Sequence, residues 1–340
     1  MRSAILSASR CCDVVNSNLP EVFDDEILVK VNFSGICGSD IAVYHGTHPY
    51  KKPPVVLGHE FSGIVVDKGR SVKNVNEGDL ITAMSYSPCE KCPLCYGGLQ
   101  NLCENKKSLS HDDMPGSFSE YIKIKANMAI KLNNVDPRVA ALVEPLSIGH
   151  HSISTLSNKN AENIVIIGAG AIGLSTLIAA KCSRIKKIAM VDVEDNKEKI
   201  CQHFGASCFF NSKKYDLKKS IDDNFPDGVD CVIISYSYKG CIDDAIDMVK
   251  PGGTVLIVAY FTEYQSVNFN KAIIKGISIQ TAFLGNKKDF ESVVSWIESK
   301  KIDPEKLITH EFPLNHIANA FLFIENNKGV CGKVLINMGN

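Results

Sequence analysis

Four cysteines lie within 15 residues of one another in the stretch SPCEKCPLCYGGLQNLCE, with the spacing C-x2-C-x2-C-x7-C. Thiolates two residues apart on a tight turn can face one tetrahedral ion. Four thiolates close the coordination shell of zinc and leave no position for water or substrate, so the site is predicted to be structural. An iron–sulfur cluster is the alternative, but nothing else in the sequence indicates electron transfer. The predicted ligands are Cys89, Cys92, Cys95 and Cys103.

A second set of potential metal ligands is spread along the chain. It consists of Cys37 in GICGSD, His59 and Glu60 in LGHEFSG, and Glu144 in LVEPLS. A thiolate, an imidazole and carboxylates are typical of an open zinc site, which keeps a position for water or an alcohol. Spacing alone does not bring these residues together, because a single buried cysteine or a His-Glu pair is usually structural or solvated.

A glycine-rich turn follows an apolar run in NIVIIGAGAIG. The pattern G-x-G-x-x-G between a strand and a helix is typical of a dinucleotide site. The first glycine permits the turn, the second admits the pyrophosphate, and the third lets helix and strand pack closely. The N-terminus of the helix then faces the phosphates. The predicted cofactor-binding residues of this motif are Gly168, Gly170, Ala171, Ile172 and Gly173.

The residue that ends the next predicted strand favours NAD over NADP. Asp192 lies 19 residues past Gly173, where a carboxylate accepts hydrogen bonds from ribose hydroxyls. Val193 and Glu194 follow it without an arginine, so a 2′-phosphate would meet two acidic groups and no cation. NAD is therefore the predicted cofactor.

The composition argues against several classes of partner. Of the 340 residues, 45% are hydrophobic and 22% are charged, and the formal net charge is −1 at pH 7. No acidic or basic block is present, so neither nucleic acid nor a membrane surface is expected as a partner. The N-terminus is a poor signal peptide, and no run reaches the roughly 18 apolar residues of a membrane span. Thirteen cysteines in such a chain indicate reduced thiols and metal ligands, which predicts a cytoplasmic protein.

Three regions of the chain differ in their hydrophobic pattern. Residues 1–150 contain short β-like runs such as EILVKVNF and EYIKIK, as in an irregular antiparallel barrel. Residues 151–284 alternate apolar strands with helices, which predicts a doubly wound parallel sheet. After about 285, the helix DFESVVSWIESK precedes a closing strand, GKVLINM. Within the second region, KKSIDDNFPDG is predicted to be a solvated loop.

Together these motifs resemble the zinc-dependent medium-chain alcohol dehydrogenase family. GHEFSGIVVDKGRSV is similar to the zinc signature of that family, G-H-E-x2-G-x5-G-x2-V. GICGSD, the four-cysteine segment, GSFSEY, EPLS and GAGAIG occur in the family's order and at similar spacing over essentially the whole chain. Glu144 in EPLSIGHH is similar to the polyol (sorbitol-type) branch and its sugar-acid and cyclitol relatives. In the alcohol dehydrogenase branch of the family, by contrast, a cysteine occupies that ligand position.

The resemblance implies an α/β fold with two domains. A GroES-like β-barrel catalytic domain would comprise residues 1–150 and 285–340, with a structural zinc lobe at about 87–105. A Rossmann domain that binds NAD would comprise residues 151–284.

The resemblance also implies two zinc ions per chain, one structural and one catalytic. Cys37 and His59 would be direct ligands of the catalytic zinc, and Glu60 and Glu144 would be direct or water-mediated ligands. The zinc would act as a Lewis acid on the substrate hydroxyl, and NAD would accept the hydride. Ser39 matches the hydroxyl that takes the proton of the alcohol.

Two positions depart from the family pattern. Many relatives have a proton-relaying histidine five residues after the zinc cysteine, but this position is Ala42; His45, His48 or a water chain would have to replace it. Sorbitol-type relatives often have an arginine near the end of the last Rossmann strand, where this chain has AFLGN at 282–286. A less charged, bulkier or cyclic substrate therefore fits at least as well. A phosphorylated or carboxylated substrate would need another cation, for which the loop candidates are Lys51, Lys52 and Lys287.

The predicted activity is hydride transfer between NAD and a secondary alcohol of a polyol, sugar acid or cyclitol. The alternative is an L-threonine 3-dehydrogenase type, or a simple secondary alcohol or diol dehydrogenase. A zinc-ribbon protein that binds nucleic acid does not fit the near-neutral charge, and a zinc hydrolase does not fit HE without HExxH. The apolar last strand ISIQTAFL predicts a homodimer or homotetramer through edge pairing.

Overall fold

The computed structural model describes residues 1–111, 114–183, 185–261, 263–327 and 329–339. The chain divides into two units. The first comprises Met1–Ser147 and Gly285–Asn340, so both ends of the chain belong to it, and the second comprises Ile148–Leu284. Among the helices within the described residues, none has the length and apolar character needed to cross a membrane.

The strands, in chain order, are β1 (Arg2–Ala8), β2 (Cys11–Asn16), β3 (Glu26–Gly35), β4 (Val55–Val56), β5 (Glu60–Lys68), β6 (Leu80–Ala83), β7 (Tyr86–Ser87), β8 (Lys107–Ser108), β9 (Tyr121–Lys125), β10 (Ala129–Lys131), β11 (Asn163–Ile167), β12 (Lys187–Asp192), β13 (Cys208–Asn211), β14 (Val229–Ile234), β15 (Val249–Ile257), β16 (Ser278–Thr281), β17 (Ile308–Pro313) and β18 (Lys333–Asn337).

The α-helices are α1 (Gly38–Tyr44), α2 (Pro93–Tyr96), α3 (Pro137–Ala140), α4 (Val143–Ser154), α5 (Ala171–Cys182), α6 (Glu198–His203), α7 (Leu217–Asn224), α8 (Cys241–Met248), α9 (Phe269–Lys275), α10 (Lys287–Glu298) and α11 (Ile317–Asn326).

The largest sheet of the first unit joins strands from both ends of the chain. Its order is β10-β6-β5-β3-β18-β17, with β9 also paired to β3. Apolar residues such as Phe61 on β5 and Ile336 on β18 belong to one buried core. Gly35 at the end of β3 pairs with Glu60 on β5 and with Leu335 on β18. This pairing brings residues from distant parts of the sequence to one place in the sheet.

A lobe without an apolar core projects from the first unit. The short strands β7 and β8 pair at its base, where Tyr86 lies opposite Ser108. In residues 89–108, which are all described, the buried residues are Cys95, Asn101 and Cys103. The lobe therefore lacks the buried apolar area that usually stabilises a folded segment.

The second unit is built on a parallel six-stranded sheet. The strand order is β13-β12-β11-β14-β15-β16, and every pair in it is parallel. Counted from β11, this is the order 3-2-1-4-5-6 of the dinucleotide-binding fold. Strands β11 and β14 are buried almost throughout, as expected for a sheet covered on both faces. The predicted combination of an antiparallel β domain and a Rossmann domain is confirmed.

The stretch predicted to be a solvated loop contains helix α7 instead. Asp216 caps the helix, because its side chain accepts a hydrogen bond of 3.0 Å from the backbone N–H of Lys219. Ile221 is buried, while Lys218 and Asp222 form an i,i+4 ion pair on the exposed face. The prediction was wrong because the charged face of the helix obscured its buried apolar residue.

Candidate metal and cofactor sites

The four cysteines of the lobe face one another. Their sulfur atoms lie 3.5 Å apart for Cys92 and Cys95, 3.8 Å for Cys92 and Cys103, and 4.0 Å for Cys89 and Cys95. Thiolates about 2.3 Å from a tetrahedral zinc ion are about 3.8 Å from one another, so the spacing fits one zinc ion. An iron–sulfur cluster would need room for several iron and sulfide atoms between the thiolates.

The backbone of the lobe brings two of these sulfurs together and favours the thiolate form of Cys89, whereas burial raises the pKa of Cys95. Cys92 immediately precedes helix α2, and Pro93 begins that helix, so one helical turn brings Cys92 and Cys95 together. The backbone N–H of Lys91, together with neighbouring thiols, lowers the pKa of Cys89 to about 6. A thiol with such a pKa is largely thiolate at neutral pH, which is the form that binds metals.

The second predicted set also comes together, in part. Ligand atoms of Cys37, His59 and Glu60 lie within 4.8 Å of one another. Cys37 precedes helix α1 and is half-buried, whereas His59 and Glu60 stand at the start of β5 and are buried. One sulfur, one imidazole nitrogen and one carboxylate oxygen fit zinc and leave a fourth tetrahedral position for a small ligand.

Glu144 does not join this group of ligand atoms. It is buried in the first turn of α4. Burial raises the pKa of its carboxyl to about 7, with His59 opposing and Glu60 adding to the shift. Glu144 thus interacts electrostatically with His59 and Glu60, and a bound cation would favour its ionised form again.

Asp40 orients the imidazole of His59. Its Oδ1 lies 3.6 Å from His59 Nδ1, and its Oδ2 accepts a hydrogen bond of 3.0 Å from the backbone N–H of Cys37. The 3.6 Å separation is longer than a hydrogen bond, so Asp40 acts on the ring as a nearby charge. In carboxylate–histidine–zinc triads a carboxylate lies beside one ring nitrogen in this way and the metal binds the other. Burial disfavours the imidazolium, but Asp40 outweighs burial and raises the pKa of His59 well above its usual value. Sequence reasoning missed Asp40, although a carboxylate three residues after a helix-capping position is a recognisable signal.

Lys333 forms a buried ion pair with Glu60. Its Nζ donates to both carboxylate oxygens, at 2.7 and 2.5 Å, and to the carbonyl of Ile36 at 3.3 Å. The side chain of Lys333 is 3% exposed and that of Glu60 is fully buried. A side chain at Gly35 would clash with the Glu60 carboxylate, so this glycine makes room for the pair. Sequence reasoning missed Lys333, yet one lysine in an otherwise apolar strand indicates a buried partner.

The residues considered for proton transfer differ in their surroundings. Ser39 is half-buried in the first turn of α1. His45 pairs with Glu325 on α11, which also forms an ion pair of 3.1 Å with Arg10. His48 Nδ1 accepts hydrogen bonds from the backbone N–H groups of Tyr50 and Lys51, at 3.2 and 2.9 Å. His45 is therefore engaged in a surface pair, whereas the Nε2 atom of His48 carries its proton.

The glycine-rich turn has the geometry that a dinucleotide needs. Gly168 follows β11, Gly170 is the residue before α5, and Ala171 and Ile172 begin this helix. A side chain at Gly173 would clash with the carbonyl of Gly168, so the helix can pack this closely only with glycine.

Asp192 is fixed beside this turn. Its Oδ2 accepts a hydrogen bond of 2.7 Å from the backbone N–H of Ala169, and its Oδ1 accepts one of 2.7 Å from Val193. The carboxylate thus lies at the position from which Rossmann proteins bind ribose hydroxyls.

The second unit also has a cavity of about 760 Å³ at the carboxyl ends of β15 and β16. Ligands of parallel sheets bind outside the carboxyl ends of the strands. Tyr260, Phe261 and Phe283 contribute aromatic walls, which suit a flat ring such as nicotinamide. Phe283 belongs to the AFLGN segment that lacks the arginine of sorbitol-type relatives.

Comparisons with known proteins agree with both units. The family model described as alcohol dehydrogenase GroES-like domain matches residues 23–134, and the model described as zinc-binding dehydrogenase matches residues 171–299. The chain is 32% identical to an L-threonine 3-dehydrogenase of Bacillus velezensis over 94% of this chain and 93% of that protein. It is 31% identical to a sorbitol dehydrogenase of Halalkalibacterium halodurans over 92% of this chain and 91% of that protein.

Among solved structures, rspB of Escherichia coli CFT073, an alcohol dehydrogenase in complex with NADH, superposes with a TM-score of 0.92 at 27% identity. The match covers 99% of each chain. The chain therefore belongs to the zinc-binding medium-chain alcohol dehydrogenase family, whose members are oxidoreductases that act on CH–OH groups.

Proposed function

We propose that this protein transfers a hydride between NAD and a secondary alcohol of a polyol, sugar acid or cyclitol. The observation that carries the proposal is the open ligand set of Cys37, His59 and Glu60, whose atoms lie within 4.8 Å. A closed four-ligand site would leave no position for a substrate hydroxyl, whereas this site keeps one. An L-threonine 3-dehydrogenase activity is the second candidate, because the chain is 32% identical to such an enzyme and 31% identical to a sorbitol dehydrogenase.

The residues have distinct roles in this reaction. Cys37, His59 and either Glu60 or Glu144 would hold zinc, which when bound acts as a Lewis acid toward the substrate hydroxyl. Asp40 holds the His59 ring in the orientation that a metal ligand needs. Oxidation removes one proton and one hydride from the carbinol. We propose that the hydroxyl of Ser39 takes the proton of the alcohol while it passes its own proton to a water chain. NAD, when bound, would supply the acceptor of the hydride.

The four cysteines of the lobe are proposed to bind the second zinc ion. Their separations of 3.5–4.0 Å support a closed tetrahedral site, which has no position for a reactant. We therefore assign this ion a structural role.

NAD is proposed as the preferred cofactor because Asp192 would accept hydrogen bonds from the ribose hydroxyls and would repel a 2′-phosphate. Asp192→Ala is expected to raise the KM for NAD about tenfold, the effect of losing roughly one hydrogen bond to a charged group. The variant should also use NADP better than the wild type does. Steady-state kinetics with both cofactors measure this, with the exposed Asp227→Ala as a control. An unaltered ratio of kcat/KM for NAD to kcat/KM for NADP would refute the proposal that Asp192 binds the ribose.

We also propose a homo-oligomer, with a dimer formed by pairing of β16 with its copy. β16 is the last strand of the parallel sheet, and Ile273, Ile274 and Ile279 near it are exposed by 72%, 86% and 37%. Exposed apolar residues beside an open strand edge favour self-association. Analytical ultracentrifugation of wild type and Ile274→Lys distinguishes a dimer or tetramer from a monomer.

A cytoplasmic location is proposed because thirteen cysteines in a chain of this length, several of them with the spacing of metal ligands, indicate reduced thiols and metal ligands. Fractionation of cells that produce the tagged chain tests this proposal.

The function itself is tested by following NAD reduction at 340 nm over polyols, sugar acids, inositols, L-threonine and diols, together with zinc content per chain. Two zinc ions per chain and turnover of one substrate class are expected. One zinc ion and no turnover would mean that Cys37, His59 and Glu60 do not form the catalytic site.

A further inference from the structure

Of the three lysines that the sequence offers to an anionic substrate, the structure singles out one. Lys52 and Lys287 are exposed, whereas Lys51 is half-buried. The backbone N–H of Lys51 donates to His48 Nδ1 at 2.9 Å, and its Nζ donates to the carbonyl of Leu109 at 3.0 Å. Two hydrogen bonds thus fix both ends of this residue in the segment that follows α1.

The ammonium group of Lys51 has N–H donors beyond the one that binds the Leu109 carbonyl. An ammonium carries three N–H donors, and the Leu109 carbonyl takes one. Within the described part of the chain, no carboxylate lies within 4.0 Å of this nitrogen, in contrast to the buried pair of Lys333 and Glu60. A partly buried cation without a counter-ion gains more from an anionic ligand than a solvated cation does.

The ammonium acts on the candidate catalytic centre. Burial lowers the pKa of Lys51, and Asp40, Cys37 and Glu144 oppose that shift electrostatically. The geometry agrees: Leu109, whose carbonyl accepts from Lys51 Nζ, precedes Ser110, and the hydroxyl of Ser110 donates to the carbonyl of Gly58 at 3.2 Å. Gly58 is the residue before the predicted ligand His59, so Lys51 lies on a segment that contacts the turn carrying that ligand.

Other nitrogen-bearing side chains lie around Lys51 on this side of the site. Burial lowers the pKa of His48, and Lys51, His111 and Lys52 lower it further, while Asp40 opposes them. Three of these groups, Lys51, His48 and His111, thus come from two separate segments of the first unit. A negatively charged group here would be attracted by the two lysines, and the Nε2–H of neutral His48 could donate a hydrogen bond to it.

We propose that Lys51 binds a carboxylate or phosphate of the substrate and determines specificity, so that the substrate is an anionic polyol derivative rather than a neutral polyol. This inference rests on the proposed function and names the substrate class of the same site. The reacting carbinol would lie at the ligand set of Cys37, His59 and Glu60, and the anionic group at Lys51. The reaction is unchanged, since Lys51 only binds and neither bonds nor protons are exchanged there.

Matched substrates that share one carbon chain and differ at one terminal group, which is neutral, a carboxylate or a phosphate, test the proposal. Sorbitol, gluconate and sorbitol 6-phosphate form one set, and galactitol, galactonate and galactitol 1-phosphate form another. The wild type should have a kcat/KM for an anionic member at least about tenfold above that for the neutral member. A carboxylate or a phosphate as the better member identifies which anion the site accepts.

Lys51→Met keeps the length of the side chain and removes the charge. This variant should lose about 10–100-fold in kcat/KM on the anionic substrate, mainly through KM, as expected for one charge-assisted hydrogen bond. Its activity on the neutral member should change by less than about threefold. Lys51→Arg should retain part of the preference, and Lys52→Met is the matched control with an exposed ammonium. An equal loss on charged and neutral members, or a wild-type preference for the neutral one, would overturn the proposal.

A binding measurement separates this proposal from the proposed function. Isothermal titration of gluconate and inorganic phosphate into the zinc- and NADH-loaded wild type and Lys51→Met compares anion affinity without turnover. Weaker anion binding by Lys51→Met supports the role of Lys51 even if no substrate of the panel is oxidised, an outcome that would refute only the proposed function. Equal anion affinity in both proteins overturns the role of Lys51, whatever the activity assays give.

Discussion

The two clusters of metal ligands in the first unit are assembled in opposite ways. The four cysteines of the lobe all lie between positions 89 and 103. The set of Cys37, His59 and Glu60 comes from the ends of two paired strands, and the partner of Glu60 is Lys333, 273 positions further along the chain. One cluster depends on a local turn, and the other depends on a completed sheet.

The surroundings of the two clusters differ as much as their ligands do. In the lobe, Tyr96, Leu99 and Leu102 are exposed, and two of the three buried residues in 89–108 are cysteines. Beside Glu60, by contrast, Phe61 is fully buried in the core of the sheet. We infer that metal stabilises the lobe, whereas the fold itself positions the open site. A metal at the site of Cys37, His59 and Glu60 is therefore expected to contribute to the reaction and not to the stability of the fold.

The largest expected effect tests whether the site of Cys37, His59 and Glu60 holds a catalytic metal. Cys37→Ser should lose about 10,000-fold in turnover, or about 5.4 kcal/mol of transition-state stabilisation, because the metal loses its thiolate ligand. Its melting temperature should stay close to that of the wild type, since a sheet holds this site. Activity assays, circular dichroism and zinc content measure both parts.

The control for this variant is Cys11→Ser, which removes an exposed thiol outside both clusters. Turnover near the wild-type level in Cys37→Ser would show that Cys37 is not a ligand of the catalytic metal.

The next effect tests whether the open site depends on the completed sheet. Lys333→Met leaves the buried Glu60 carboxylate without its partner, and breaking such a pair typically destabilises a protein by about 3–5 kcal/mol. Urea denaturation should detect this loss, and Lys333→Met combined with Glu60→Gln should recover part of it. Lys131→Met is the matched control, because the Lys131 side chain in its ion pair with Asp79 is 44% exposed and the pair is expected to contribute at most about 1 kcal/mol. Equal effects of the two lysine variants would contradict the comparison.

This difference in assembly also explains what the sequence alone predicts. The spacing of Cys89, Cys92 and Cys95 predicts their meeting, because one turn of chain fixes their separation. The glycine turn and Asp192 are predictable for the same reason, since a strand–turn–helix unit and the next parallel strand have regular geometry.

Long-range pairing is what single-sequence reasoning does not reach. The contact of Lys333 with Glu60 depends on the register between β18, β3 and β5, which no local pattern specifies. The grouping of Cys37 with His59 and Glu60 came from the family resemblance rather than from spacing. Similarly, the sequence offers three lysines for an anion, and only burial and hydrogen bonding distinguish Lys51.

A smaller expected effect tests whether the metal bound by the four cysteines stabilises the lobe. Cys95→Ser should remove the metal of the lobe and destabilise the protein by about 3 kcal/mol, which corresponds to a fall in melting temperature of about 6–12 °C. Zinc content should fall from two ions per chain to one, and limited proteolysis should cut within residues 89–108. The remaining zinc should still support turnover by the folded fraction. An unchanged melting temperature and an uncut lobe would show that the lobe does not need its metal.

The smallest expected effect tests whether only the site of Cys37, His59 and Glu60 depends on residues that contact its metal ligands. Asp40→Asn removes the charge that faces His59 Nδ1 at 3.6 Å, and loss of such a group typically weakens metal affinity by about 10–100-fold. A chelator titration should therefore release one zinc ion at a lower chelator concentration than in the wild type and the other at the same concentration. Asp136→Asn is the matched control, because Asp136 caps α3 and faces no metal ligand. If Asp40→Asn lowered the chelator concentration that releases both zinc ions, the two sites would be coupled. The distinction between a structural and a catalytic zinc ion would then be wrong. A shift confined to one ion means that the lobe binds zinc through its four thiolates alone, whereas the open site needs Asp40 to hold a ligand that the turn of the chain does not fix.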